Sequence, residues 1–145
     1  ELEQIRSIDV REVSQLLTPN LAGEGLIGSC ENLCSEYQPE ITFIIDISQE
    51  VENLEEETKL GLYRIIEQAV INSIKHGPAA HVEISLARIS LDQLELTVSD
   101  DGPGSTEDGS GTGTVVIDAW VSKLDGRKEI ESKPGSGYTL RILIP

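Results

Sequence analysis

The order of hydrophobic periodicities in this 145-residue chain predicts an α/β two-layer sandwich, a mixed sheet with helices packed on one face. Three observations carry that prediction. A long helical periodicity runs from about Leu54 to His76. Two alternating segments follow it, Val82 to about Leu86 and Leu94 to Val98, separated by a short polar turn containing Ser90, Asp92 and Gln93. A further helix and a closing hairpin complete the set, with no internal repeat or low-complexity linker between them.

Taken from the beginning, Ile5, Val10, Val13, Leu16 and Leu17 recur at helical spacing up to Thr18-Pro19, where the proline disfavours helix in the residue before it. This reads as the tail of a longer helix. Leu26, Ile27, Cys30, Leu33 and Cys34 predict a second amphipathic helix ending before Pro39, and Ile41, Phe43, Ile45 and Ile47 alternate as a half-buried strand. On the long helix Leu60, Tyr63, Ile66, Ala69, Val70, Ser73 and Ile74 are the inward candidates, and Gly77-Pro78 stops it. Glycines from Gly102 to Gly113 break regular structure. Val115 to Leu124 then predicts a helix, Asp125-Gly126 a turn, and the segments around Glu129 to Ser132 and Tyr138 to Ile144 a hairpin across residues 133–137.

With 38% hydrophobic residues the chain is long enough for one compact domain. The absence of methionine and the opening Glu1 read as a piece of a longer polypeptide. A formal charge of −15, from 26 acidic and 11 basic side chains, repels phosphate backbones and anionic lipid, which argues against nucleic-acid or membrane binding. No apolar run approaches the roughly 20 residues of a membrane span, and no charged start followed by an apolar stretch suggests a signal peptide. Cys30 and Cys34 match neither a zinc knuckle nor a redox pair and are expected to be reduced and partly buried. His76 and His81 are too few for a transition-metal site.

The chemistry concentrates in the middle of the chain. Gln68, Asn72 and Lys75 fall at i, i+4 and i+7, a polar stripe distinct from the apolar face. A solvated face has the same pattern, but an Asn carbonyl is a suitable hard ligand for magnesium and a lysine one turn on is a point charge for phosphate. Continuing the strand Leu94, Leu96, Val98 puts Asp100 on the apolar-facing side, where a carboxylate needs a donor, while Asp101 points the other way or enters the loop. Gly102-Pro103-Gly104 turns the backbone sharply and leaves room for a flat ligand. Asp100 before it suits an amino-bearing heterocycle such as adenine; alone, the motif is equally an ordinary tight turn. Gly109 to Gly113 precedes a helix whose open amides could receive phosphate oxygens, or forms a flexible linker. It lies too far past the strand for a Rossmann turn and lacks the Walker ending.

In that order the residues resemble the GHKL ATPase superfamily, and within it the catalytic domain of two-component sensor histidine kinases of the nitrate-sensor type. Leu62-Tyr63-Arg64-Ile65-Ile66 through Asn72-Ser73-Ile74-Lys75-His76 is similar to the N box, Asp100 to Gly104 to the first glycine box, and Gly111 to Gly113 to the second. Leu17-Thr18-Pro19 and Gly25-Leu26 are similar to the junction between dimerisation helix and catalytic domain, so residues 1–18 are expected to be the tail of that helix and 19–145 the ATP-binding domain. The resemblance implies a Bergerat-type, mostly antiparallel fold, with Gln68, Asn72 and Lys75 as the catalytic set. Asn72 would coordinate magnesium bridging ATP phosphates, Lys75 and His76 would sit near those phosphates, and Asp100 would read adenine. Gly102, Gly104, Gly111, Thr112 and Gly113 would frame the nucleotide, and the short stretch from Ser105 to Ser110 resembles the short ATP lid of this subfamily.

Three departures from the pattern stand out. Gln68 stands where the family usually has glutamate, and Glu67 is turned roughly 100° away by the helix. Thr114 replaces a common leucine, and Ile117-Asp118-Ala119-Trp120 replaces Met-Arg-Glu-Arg. Tyr138-Thr139 closes the candidate set where a threonine often supports the adenine-binding aspartate; alternation puts Tyr138 with Leu140 and Ile142, so its hydroxyl is the expected support, while Thr139 faces away.

The implied function is that of a bacterial, cytoplasmic catalytic domain that binds Mg-ATP and donates the γ-phosphoryl to a histidine on a dimerisation segment of the same protein. A response regulator would take it from there, and the full-length protein, membrane-anchored or not, would be a homodimer. Neither His76 nor His81 suits the acceptor role, so the chain alone is not expected to phosphorylate itself. The alternatives are a degenerate ATP-sensing or interaction module of the same fold and a serine kinase of the anti-sigma-factor type.

Overall fold

The computed structural model describes residues 21–75, 80–102, 112–132 and 137–145. The elements are helix α1 (Leu21–Ser35), strand β1 (Thr42–Ile47), a 3₁₀ turn (Gln49–Asn53), helix α2 (Glu56–Lys75), strands β2 (His81–Ser90) and β3 (Gln93–Asp100), helix α3 (Thr112–Lys123), and strands β4 (Arg127–Ser132) and β5 (Tyr138–Ile144). The strands form a five-stranded mixed sheet in the order β1-β2-β3-β5-β4, with β1 parallel to β2 and the other pairs antiparallel. This is the two-layer sandwich that the periodicities predict. The tail expected over residues 1–18 lies outside the described residues.

Alternation sorts the two faces of the sheet. Val82, Ile84 and Leu86 of β2, Leu94, Leu96 and Val98 of β3, and Leu140, Ile142 and Ile144 of β5 are buried together under the helices. The opposite face is polar: Arg141 pairs with Glu95 at 3.3 Å and Glu129 at 3.4 Å, and the Ser99 and Thr139 hydroxyls meet at 2.8 Å.

Helix α2 supplies most of the second layer. Leu62, Ile65, Ile66 and Val70 are fully buried, and Glu56 and Glu57 in its first turn complement the positive end of the helix dipole. A Cβ at Gly61 would meet Leu124 and Trp120 at 2.8 Å, which marks the side of α2 that faces α3. Gln68 and Asn72 follow Gly61 by seven and eleven residues, so each projects within about 20° of that same side.

The periodicities did not locate the 3₁₀ turn. Its Glu52 carboxylate accepts the Leu26 and Ile27 amides, at 2.9 and 3.1 Å, and so caps the main segment of α1 where that helix breaks at Gly25. Helix α3 also starts earlier than expected, at Thr112 instead of Val115. Thr112 and Gly113 are therefore the opening turn of the helix and not part of the preceding loop, and α3 buries Ile117 and Val121. Cys30 and Cys34 are free and buried; burial pushes both thiols well up, which keeps them protonated and unreactive. Among the described residues no helix is long and apolar enough to cross a membrane.

Candidate functional site

The register puts Asp100 at the end of the central strand, opposite Val82 of β2 on one side and Tyr138 of β5 on the other. Its side chain points to the helical layer, and there it finds the donor that a carboxylate in that place needs. Ser73 Oγ of α2 donates to Asp100 Oδ2 at 2.8 Å while lying 3.1 Å from the Ala69 carbonyl, and the Gly102 amide donates to Oδ1 at 2.9 Å. Two carboxylate oxygens offer about four lone-pair sites, so each keeps one for a further donor. Asp100 thus joins helix, strand end and glycine turn through one carboxylate.

The support expected from Tyr138 is not what the structure has. Its hydroxyl makes no hydrogen bond to Asp100; the half-buried ring packs against the core, and that burial, then the charges of Asp100 and Asp118, pushes the phenol up. It remains a neutral neighbour of the site. Thr139 lies on the outer face of β5, bonded to Ser99, so its side chain is directed away from Asp100. Alternation along β5 forces that outcome.

Asp101 does turn to the other side, where it clamps the start of β2. Its Oδ1 accepts the Ala80 and His81 amides at 2.8 and 2.9 Å, its Oδ2 meets His81 Nδ1 at 2.7 Å, and its own amide donates to the His81 carbonyl at 3.2 Å. These bonds, led by the His81 amide, hold the Asp101 carboxyl below its ordinary range. A carboxyl shifted down in the folded state stabilises it above the unfolded value and loses that contribution as pH falls through the folded one, so the clamp should loosen only on acidification below about pH 4. Asp101→Ala is expected to weaken ligand binding at the Asp100 loop severalfold, and less than changes at Asp100 itself, because water can reach the exposed donors it leaves; titration with nucleotide checks this.

Across from Asp100, Gln68 and Asn72 share the α3-facing side of α2, both partly buried. Lys75 ends the helix, while His76, Gly104 and Gly111 lie outside the described residues. Thr112 and Gly113 form the opening turn of α3, and open amides at a helix start are the usual seat of an anion. Glu67 is on the opposite flank of α2. It is buried at 2% exposure, held by Arg64 Nη1 at 2.9 Å, and close enough to Glu36, just past α1, that this charge adds to the effect of burial in raising its carboxyl.

Sequence reasoning missed Ser73 as a site residue, though the signal was present in two halves: a hydroxyl among inward-facing residues of the long helix, and a strand-end carboxylate in want of a donor. Gly137 was missed as well. It has φ +85°, and a Cβ there would collide with the Asp100 carbonyl oxygen.

Residues 57–145 match the family described as histidine kinase-, DNA gyrase B-, and HSP90-like ATPase. The sensor histidine kinase ComP of Bacillus subtilis is 32% identical over 142 residues, covering 92% of this chain and 18% of ComP. An uncharacterized sensor-like histidine kinase of Chloroflexus aurantiacus is 35% identical over 93 residues, covering 59% of this chain and 16% of the relative. The chain thus spans less than a fifth of either protein. The structure of the blue-light activated histidine kinase of Erythrobacter litoralis EL346 shares the fold at a TM-score of 0.77 and 21% identity, covering 99% of this chain and 49% of that one. The chain belongs to the histidine kinase-, DNA gyrase B-, and HSP90-like ATPase family.

Proposed function

We propose that this domain binds Mg-ATP between Asp100 and the Gln68, Asn72, Lys75 side of α2, and donates the γ-phosphoryl to a histidine on a dimerisation segment of the same protein. The observation that carries the reading is the Asp100 carboxylate, buttressed by Ser73 and Gly102 with acceptor capacity to spare, which suits the exocyclic amine of adenine. Phosphates would then extend toward Asn72, Lys75, His76 and the opening turn of α3, with Gly102, Gly104, Gly111, Thr112 and Gly113 around the nucleotide.

Magnesium fits this arrangement. Asn72 offers one hard oxygen, and among the described residues no three His, Cys, Asp or Glu side chains gather into a protein-built cage, as suits a cation held chiefly by substrate phosphates and water. When bound it neutralises phosphate charge; the chain's own part is to orient the nucleotide and exclude water. The acceptor histidine, a homodimer formed through the helix that residues 1–18 would continue, a response regulator as final acceptor, a cytoplasmic location and membership of the nitrate-sensor subfamily complete the proposal.

Calorimetric titration with a non-hydrolysable ATP analogue tests it. Binding that strengthens with magnesium is expected, and Asn72→Ala should remove most of that magnesium dependence. No binding at millimolar nucleotide would overturn the reading. A second reading, an ATP-binding module without turnover, is favoured by the amide at Gln68; phosphohistidine on a longer protein carrying the dimerisation segment would exclude it.

A further inference from the structure

We infer that the open edge of β1 takes up an extended, basic segment of a partner protein as an added strand, paired main chain to main chain. Two features of the molecule meet there: a strand edge with free backbone groups, and the part of the chain where negative charge is least relieved.

β1 is one of the two edges of the sheet. The Thr42 amide donates to the Ala80 carbonyl and the Ser48 amide to the Leu86 carbonyl, both at 2.9 Å, so in this parallel register the even-numbered residues turn their backbone groups to β2. The amides and carbonyls of Phe43, Ile45 and Ile47 therefore point away from the sheet, and among the described residues they have no hydrogen-bond partner. Such an edge is a template for another chain unless something blunts it. The opposite edge, β4, is blunted by Arg127, Lys128, Glu129 and Glu131, which place charges of both signs along it. β1 has no such protection. Its six residues, Thr-Phe-Ile-Ile-Asp-Ile, include no proline, glycine or lysine, its one charge is Asp46, and its register runs without a bulge.

The side chains decide which strand fits. Phe43, Ile45 and Ile47 lie on the helical side and are only partly buried against the core, so an added strand would lay apolar side chains beside them. On the other face Thr42, Ile44 and Asp46 are exposed, and the exposed Glu83 stands opposite Ile44. The surrounding sequence is acidic without relief. No Lys, Arg or His occurs between Arg11 and Lys59, while ten carboxylates fall from Glu24 to Glu57. A strand that alternates apolar residues with Lys or Arg suits both faces at once. A second copy of this chain does not, because it brings the same acidic stretch to the joint, and a nucleic-acid backbone is repelled for the same reason.

The test is fluorescence anisotropy of a short, labelled, end-capped peptide of alternating Val and Lys, titrated with the chain. Saturable binding is expected, weakened severalfold in about 0.5 M salt. N-methylation of the peptide's amides should lower affinity by about tenfold or more, since it removes the main-chain donors and leaves every charge in place. Ile45→Pro should do the same from the protein's side. The Ile45 amide takes no part in the sheet, and an edge position with an outward amide is where a strand accepts proline. An unchanged unfolding temperature would show that the variant keeps its fold; if Ile45→Pro unfolds the domain, the methylated peptide decides alone. No binding of the unmodified peptide at millimolar concentration would overturn the inference. So would equal binding of the methylated peptide, or equal binding by a folded Ile45→Pro, because attraction would then be by charge alone. Self-association of the chain that Ile45→Pro abolishes would overturn it too, by giving the edge to a second copy.

Discussion

Asp100→Asn should weaken nucleotide binding by about ten- to hundredfold, which corresponds to about 1.5–3 kcal/mol for a lost charge-assisted hydrogen bond. The structure gives this estimate a specific cause. Ser73 and Gly102 already direct two donors at the carboxylate, and the adenine amine would be a third. A carboxylate has acceptor sites for all three on two oxygens, whereas an asparagine has one acceptor oxygen and presents two donors from its nitrogen. Whichever way the amide turns, one of the three donors faces an N–H. Titration with a non-hydrolysable ATP analogue checks the loss, and unchanged affinity would remove Asp100 from the adenine site.

How much of this was legible beforehand follows from the range of each interaction. Helix α2 and the strands β2, β3, β4 and β5 were readable because burial imposes a period of 3.6 or 2 on neighbouring residues. The sheet order was not, since a period cannot say that β5 lies between β3 and β4 or that β1 runs parallel to β2. Contacts across long separations were equally hidden. Glu52 caps α1 from 26 residues away and Ser73 reaches Asp100 across 27, so local pattern showed that Asp100 needed a donor without showing which. Tyr138 was the wrong choice for an instructive reason. Register brings it opposite Asp100 along the backbone, but a large ring at that position is better buried against the core than turned to a carboxylate. The start of α3 was obscured by glycines, which read as loop even where they open a helix. Gln68 and Asn72 could be placed on one stripe from spacing alone; that the stripe faces α3 required the packing of Trp120 and Leu124 on Gly61.

Gly137→Ala should be the most damaging single change, because it strikes fold and site through the same atom. The residue immediately precedes β5 and has φ +85°, a conformation that costs an L side chain about 1–2 kcal/mol. A methyl group there would also overlap the Asp100 carbonyl oxygen, and forcing a rigid backbone apart adds about 1–3 kcal/mol. The sum, about 2–5 kcal/mol, should lower the unfolding temperature by roughly 10 °C in a domain of this size. Relief by moving Asp100 would disturb its bonds to Ser73 and Gly102, so nucleotide affinity measured well below the unfolding temperature should fall too. The two readouts separate the roles: lost stability with retained affinity would mean that Gly137 serves the turn alone, whereas loss of both would identify it as the backbone seat of the aspartate proposed to read adenine. A variant as stable as the parent would show that β5 can enter the sheet by another path, and that the approach of residue 137 to Asp100 does not constrain the site.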